Sequence, residues 1–447
     1  MSGQTAAQYG RQKLRLVCRA KCESFPRPHS SFLSSFWIRN ASSPIMTHIY
    51  DLNDDCLLHV CCFLNIYELL QFAKVSDRLK YVAEKSLQQI QFLELTDHIV
   101  QRVSVDEVKY IFTQVGRRLK AIGLADLRSS NTLSKFVELI PLYLVNIEEL
   151  NLEWIDQIPL QTYGKIFGSC KKIKSLKIFE CNITDEVCAL MYLLPDLTRL
   201  DLSENRLVTG KYLKKLKNLI DLRVSCCNMQ AKYFQEICDS MQLRMLDIRH
   251  CTMLFQDSFE RLIHTQKNLE LIQVSNYPCG EAAVIAQLPS LKHITISYPD
   301  GVHPTQLLRE LVLHKKHSLE SIEIYWKHFS ERSVRHKVFL LENLRRLVIL
   351  DARSFAEDDL KAVSLAFPFL KSFHCSGLHY LPSRSLKKFA KRAKSLEELN
   401  IVYYEYFPDV LYYRMLEDIW RKEHGKNLLA CMTQIHFSTN ILKKQNS

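Results

Sequence analysis

The stretch Leu197-Thr198-Arg199-Leu200-Asp201-Leu202-Ser203-Glu204-Asn205 decides the fold. On an extended backbone Leu200 and Leu202 point to one side, and Arg199, Asp201 and Ser203 to the other. The next copy is Leu219-Ile220-Asp221-Leu222-Arg223-Val224-Ser225-Cys226-Cys227. Working outward, the second apolar position recurs at Leu150, Leu176, Leu200, Leu222, Leu246, Ile272, Ile294, Ile322, Leu347, Phe373 and Leu399, at intervals of 22 to 28 residues. Leu93 and Ile122 fit the same template upstream. Each short strand has one apolar edge that its own repeat cannot cover. Stacking neighbours side by side buries that edge in a continuous core.

A period in the range of about 20–29 residues matches leucine-rich repeats. Five residues past the anchor, where that pattern wants Asn or Cys, stand Cys181, Asn205, Cys227 and Cys251. They are expected to pack inward as structural groups. Tyr277, Pro299 and Lys327 occupy the position later, so less regular turns are expected there. Between strands the chain reads helical, as over 185–194, which ends before Pro195, and over 386–393. The expected fold is therefore α/β: a leucine-rich-repeat solenoid of about thirteen repeats, with parallel strands on a concave face and helices outside. Only 11 glycines in 447 residues argue against a fold built on tight hairpins and against glycine-rich phosphate loops.

The net charge of +12 is uneven. Residues 1–45 hold seven basic residues and the single acid Glu23, while the rest of the chain is close to balanced. No basic stripe with stacking aromatics marks the repeats, so no nucleic-acid partner is expected. The leader reads as a disordered basic tail. A mitochondrial transit peptide shares its composition, and a start at Met46 would omit it. Fifteen cysteines stand mostly in apolar runs with no CxxC, which points to reduced thiols and neither metal nor disulfide framework. No apolar run approaches the length of a membrane span, and no catalytic signature or cofactor motif occurs. No cofactor, metal or membrane is expected.

Residues 48–88 differ from the repeats. Asp54 and Asp55 open a helix with apolar residues at 57, 58, 60, 61 and 64, Asn65 starts a second, and Ser76-Asp77 follows. We read this as a helical hairpin too small for its own core, packing on the first repeats or on a partner. Leu52, Asp54, Asp55, Leu57, Leu58, Val60, Phe63, Leu64, Glu68, Leu69, Leu70, Val75 and Arg78 resemble an F-box; Asn53, Ser76 and Leu79 depart from its usual proline, cysteine and tryptophan. With the repeats behind it, the chain resembles F-box proteins of the leucine-rich-repeat class, as a divergent, insect-type member. That resemblance implies a non-catalytic substrate receptor of an SCF ubiquitin ligase in the cytoplasm or nucleus. Its F-box would dock a Skp-family adaptor linked to a cullin, and its repeats would hold a protein substrate. The adaptor-binding residues expected on that basis are Leu52, Leu57, Val60, Leu64, Leu69 and Val75. The alternative is an interaction scaffold unlinked to ubiquitin, of mitochondrial location.

Residues one before, one after and three after each anchor should line the strand face. They include Lys177, Asp201, Asp221 and Asp247, and the substrate candidates Phe179, Arg199, Arg223 and Arg249. The pairs Arg199/Asp201, Asp221/Arg223 and Asp247/Arg249 can form an ionic lattice across strands; the alternative is a solvated face whose exposed pairs contribute about 0–1 kcal/mol each. In the C-terminal half the face turns apolar, with Tyr325, Val348, Leu350 and Val402, and the aromatics Tyr403 and Tyr404 follow; Tyr325, Leu350, Tyr403 and Tyr404 are further substrate candidates, the alternative being that the segment 405–447 covers this face. The expected segments are leader 1–47, F-box 48–88, repeats 89–404 and cap 405–447.

Overall fold

The computed structural model of the chain describes residues 49–125, 133–156, 158–254, 256–275, 278–297, 305–326, 336–378, 381–403, 421 and 429–434. Tyr277, Pro299, Lys327, Tyr404, the leader and most of the segment 405–447 lie outside the described residues. The described chain divides into two units between Val60 and Cys61.

In the first unit a short 3-10 turn, Ile49–Asp51, precedes α1 (Asp54–Cys61), whose last residue begins the second unit. Asn53, which stands where proline is usual, caps this helix: its side-chain oxygen accepts the Cys56 amide at 2.8 Å. Leu57 is buried.

The second unit opens with α2 (Ile66–Ala73) and α3 (Asp77–Leu87). Asn65 and Glu68 cap α2 reciprocally at 3.0 and 2.8 Å. Ser76 caps α3, and Leu79 is buried in its core face with Val82, Ala83 and Leu87. The segment read as a hairpin is thus three short helices, because the Ser76 cap starts a third. The expected boundary after residue 88 falls inside this unit. Helix α3 sits against the helix Val105–Val115 of the first repeat: Tyr110 Oη donates to Glu84 at 2.6 Å, and Lys74 pairs with Glu107 at 2.8 Å.

From there the strands follow one another as β1 (Phe92–Thr96), β2 (Ala121–Ala125), β3 (Glu149–Glu153), β4 (Ser175–Phe179), β5 (Arg199–Asp201), β6 (Asp221–Arg223) and β7 (Met245–Asp247). They continue as β8 (Leu271–Ser275), β9 (His293–Ser297), β10 (Ser321–Tyr325), β11 (Arg346–Leu350), β12 (Ser372–Leu378), β13 (Glu398–Tyr403) and β14 (Leu429–Gln434). All lie in one parallel sheet in chain order. Anchors pair with anchors, as in Leu150↔Leu176, Leu176↔Leu200 and Leu200↔Leu222. Every anchor from Leu150 to Leu399 is buried. Strand β14 pairs with β13 inside the segment expected to be a cap, so the array is one strand longer than its leucines indicate.

Helices return the chain between strands, as at Asp185–Leu190, capped by Thr184, and at Ser383–Arg392. In the C-terminal repeats the core is aromatic. Trp326 meets Phe355 at 5.3 Å, Phe355 meets Phe373 at 6.3 Å, and Phe373 meets Phe389 at 5.6 Å.

The turn after each strand explains the scarce glycine. Four residues past the anchor the backbone takes positive φ at Trp154, Glu180, Glu204, Cys226, His250 and Asp351. None of these is glycine, although a side chain there costs about 1–2 kcal/mol. Forward hydrogen bonds hold them: Glu180 N donates to Ser203 O at 3.0 Å, Glu204 N to Ser225 O at 2.7 Å, and Cys226 N to Arg249 O at 2.8 Å. The equivalent residue after Phe373 is Gly377, at φ +80°.

Candidate functional site

The inward turn positions are structural, as expected. Asn205 is fully buried and joins two repeats. Its Nδ2 donates to Ile178 O at 2.7 Å and Leu202 O at 2.8 Å, and its Oδ1 accepts from Cys181 N at 3.1 Å and Ile183 N at 3.2 Å. Cysteine does part of this work in the flanking repeats. Cys227 Sγ donates to Leu202 O at 3.2 Å and Cys251 Sγ to Val224 O at 3.1 Å. Burial pushes the Cys181 thiol up to about 12 and raises those of Cys227 and Cys251. The described cysteines are free thiols. Among the described residues no group of side chains could hold a metal ion, and no helix is long and apolar enough to cross a membrane.

The first candidate surface lies on the helical segment. In the first unit Leu52 is exposed, Val60 half-buried and Leu57 fully buried. In the second unit Val75 is 61% exposed, Leu64 half-buried and Leu69 buried at 3%. Leu57 and Leu69 are therefore core residues rather than available surface. For Leu69 the cause is helical spacing, which turns it inward with Ile66 and Leu70. Phe63, matched to the F-box pattern but not counted among the expected adaptor contacts, is 76% exposed, and Tyr81, which sequence reasoning passed over, is half-exposed with Lys85 Nζ 4.4 Å above its ring. The signal was present: Phe63 falls after the last turn of α1, and Val75 after the last turn of α2, where no helical face draws a side chain inward.

The second candidate surface is the strand face. Its N-terminal half is ionic: of the expected pairs Asp247/Arg249 forms, within one repeat rather than across strands, and the other contacts connect differently. Arg199 reaches past the short Ser175 on β4 to Glu149 on β3, at 2.7 Å. Lys177 pairs with Glu153 at 2.8 Å and lies 5.1 Å from the Phe179 ring, which packs edge-on against Trp154. Arg249 folds back on its own strand and holds Asp247 with two hydrogen bonds, Nε at 2.9 Å and Nη2 at 2.7 Å. Asp247 is buried, and Arg223 stands exposed on the same row, between Asp201 and Asp247.

In the C-terminal half the apolar face is less open than its sequence suggests. Val348 is buried, flanked in register by the longer Glu323 and His374. Val402 is buried because β14 continues the sheet beyond it. Tyr325 and Leu350 are half-buried. Tyr403 closes β13, and Tyr404 lies outside the described residues. Burial raises Glu323 and Tyr325 above their ordinary values and drops His374 to about 4.

A family model agrees with the helical part. The F-box domain family matches residues 49–87, the stretch that contains α1, α2 and α3. No curated protein matches the chain. Among solved structures, yeast Rad7 in its complex with Elc1 is 14% identical, with 89% of this chain and 96% of that chain covered and a TM-score of 0.47. The leucine-rich repeat-containing protein LegL7 from Legionella pneumophila is 13% identical, covering 74% and 98%, with a TM-score of 0.39. An internalin from Listeria monocytogenes is 15% identical, covering 78% and 91%, with a TM-score of 0.36. The chain therefore carries an F-box domain followed by a solenoid of leucine-rich repeats.

Proposed function

We propose that this chain is the substrate-recognition subunit of an SCF-type ubiquitin ligase. One observation carries the reading: an F-box domain over residues 49–87 leads directly into the repeat array. F-box domains bind Skp-type adaptors. The adaptor would contact Phe63 and Val75, apolar side chains that burial against a partner would remove from water. A cullin would join through the adaptor, and the strand face would hold the protein substrate. The chain then acts as a tether. It raises the local concentration of a substrate lysine at the ubiquitin-conjugating enzyme and needs no catalytic group of its own. Work in the cytoplasm or nucleus follows from this reading.

The test is reconstitution of the full chain with a Skp adaptor. A one-to-one complex on size exclusion supports the reading, as does its loss in Phe63→Asp with Val75→Asp. The exposed pair is preferred to Leu69, whose replacement by a charge would unfold the helix core. Failure of the intact, folded chain to bind the adaptor overturns the reading and leaves an interaction scaffold.

A further inference from the structure

We propose that the strand face around β10 captures a lysine or arginine side chain of the bound protein, with Glu323 as its counter-ion and Tyr325 beside it. This rests on the substrate-receptor reading and specifies the substrate's chemistry.

The register sets the site. Asp247, Gln273, Thr295, Glu323 and Val348 form one row across β7 to β11. The two acids of that row differ. Asp247 is satisfied by the guanidinium of Arg249 through two hydrogen bonds. Glu323 has Thr295 on one side and Val348 on the other, and it accepts no hydrogen bond from any described residue. The nearest cation is Arg346, whose Nη1 lies 4.0 Å away. That is well beyond the roughly 2.7–2.9 Å of a charge-assisted hydrogen bond. The carboxylate's acceptor sites therefore remain open, and its side chain keeps 25% of its exposure.

The surroundings suit a long cationic side chain. Between the β7 and β10 walls the face carries the small buried hydroxyl residues Ser275, Thr295 and Ser297, with the longer Gln273 half-buried on β8 and the Arg249 guanidinium within electrostatic range of Glu323 and Tyr325. Three strand spacings make that gap about 14 Å wide. Tyr325 stands two residues past Glu323 on the same face and offers its ring to a cation. Partial desolvation outweighs the nearby charges of Arg346 and Arg249 and raises the proton affinity of Glu323, and an ammonium or guanidinium in hydrogen-bond contact would relieve that cost. An acidic or phosphorylated segment fits less well beside the Glu323 carboxylate, and Arg249 already gives two of its five N–H donors to Asp247.

The probe is a random dodecapeptide display library selected on the full chain. The expected result is enrichment of Lys or Arg at one aligned position by at least tenfold over input. Glu323→Gln should abolish it, Tyr325→Ala should weaken it severalfold, and Glu323→Lys should turn selection towards Asp and Glu. Glu323→Gln removes a charge that the fold disfavours, so it should melt no lower than the parent; Tyr325→Ala gives an independent reading at a second residue. Selection of acidic or phosphorylated residues by the parent overturns the proposal, as does no enrichment or a preference unchanged in Glu323→Gln. Adaptor binding is measured on the same protein. Basic selection without adaptor binding sinks only the ligase reading, and adaptor binding without basic selection sinks only this one.

Discussion

Replacing Asn205 by alanine should cost far more than its volume implies. The side chain is fully buried and its amide serves two repeats at once. Without it the amides of Cys181 and Ile183 and the carbonyl of Ile178 lose the partners that Asn205 gives them. Leu202 O is spared, because Cys227 Sγ also donates to it. An orphaned buried polar group costs about 1–3 kcal/mol, so three of them, with local relaxation, give about 4 kcal/mol. Cysteine at this position can donate one S–H but cannot serve both amides, so Asn205→Cys should lose about 2–3 kcal/mol. Urea unfolding measures both totals, and hydrogen exchange locates them: protection of the Cys181 and Ile183 amides should fall before that of β1 or β2. A loss below about 1 kcal/mol for Asn205→Ala, or unchanged protection of those two amides, would refute the reasoning.

Other outcomes follow from single features. Phe373→Ala empties the centre of the aromatic run between Phe355 and Phe389 and should cost about 3–5 kcal/mol by denaturant titration. Gly377→Ala meets both the left-handed φ and the Asp351 backbone, with its Cβ 3.0 Å from Asp351 Cα, and should lose about 2 kcal/mol; Glu204→Gly should be neutral or gain up to about 1 kcal/mol. His374 is held near 4 while an unfolded histidine titrates near 6.5, so only the unfolded chain takes up that proton between these values. Stability should fall by about 3 kcal/mol as pH drops across that window, and His374→Asn should flatten this limb of a pH-dependent unfolding series. Of the cysteines whose exposure is described, iodoacetamide at pH 8 should label the exposed Cys56 and Cys62 of the native protein first, as followed by mass spectrometry. Cys181 and Cys227 should react only on unfolding.

The core was legible because its signal is periodic: from Leu150 to Leu399 every anchor is buried. Strand β14 escaped notice because position 427, where the pattern expects a first leucine, is Asn427. The left-handed turns were invisible for a related reason. They are enforced by hydrogen bonds from the next repeat rather than by glycine, so Trp154, Glu180 and Cys226 give no local sign of them. The departures at Asn53 and Leu79 looked like losses, yet Asn53 caps its helix and Leu79 fills the core. Ion pairing was the least legible, because reach depends on the residue between. Arg199 finds Glu149 only because Ser175 is short. The adaptor candidates were read as one apolar set, and only helical phase and helix ends separate the buried Leu69 from the exposed Val75.

The forward hydrogen bonds of the turns also give the array a grammar of insertion and loss. Where this pattern holds, each turn amide needs a carbonyl from the repeat after it. At the opposite edge of the sheet the amides of Lys174, Thr198 and Ile220 reach back to the carbonyls of Glu148, Lys174 and Thr198. Excising one whole period brings an equivalent amide to an equivalent carbonyl, and the seam closes. Excising half a period faces a turn amide with a helix and strands bonds at both edges. Change in the number of strands through the regular repeats is therefore made in whole repeats. Such an array can gain or shed recognition surface one complete repeat at a time, carrying one new strand row with each, while the differences among periods of 22 to 28 residues fall in the segments that return the chain between strands.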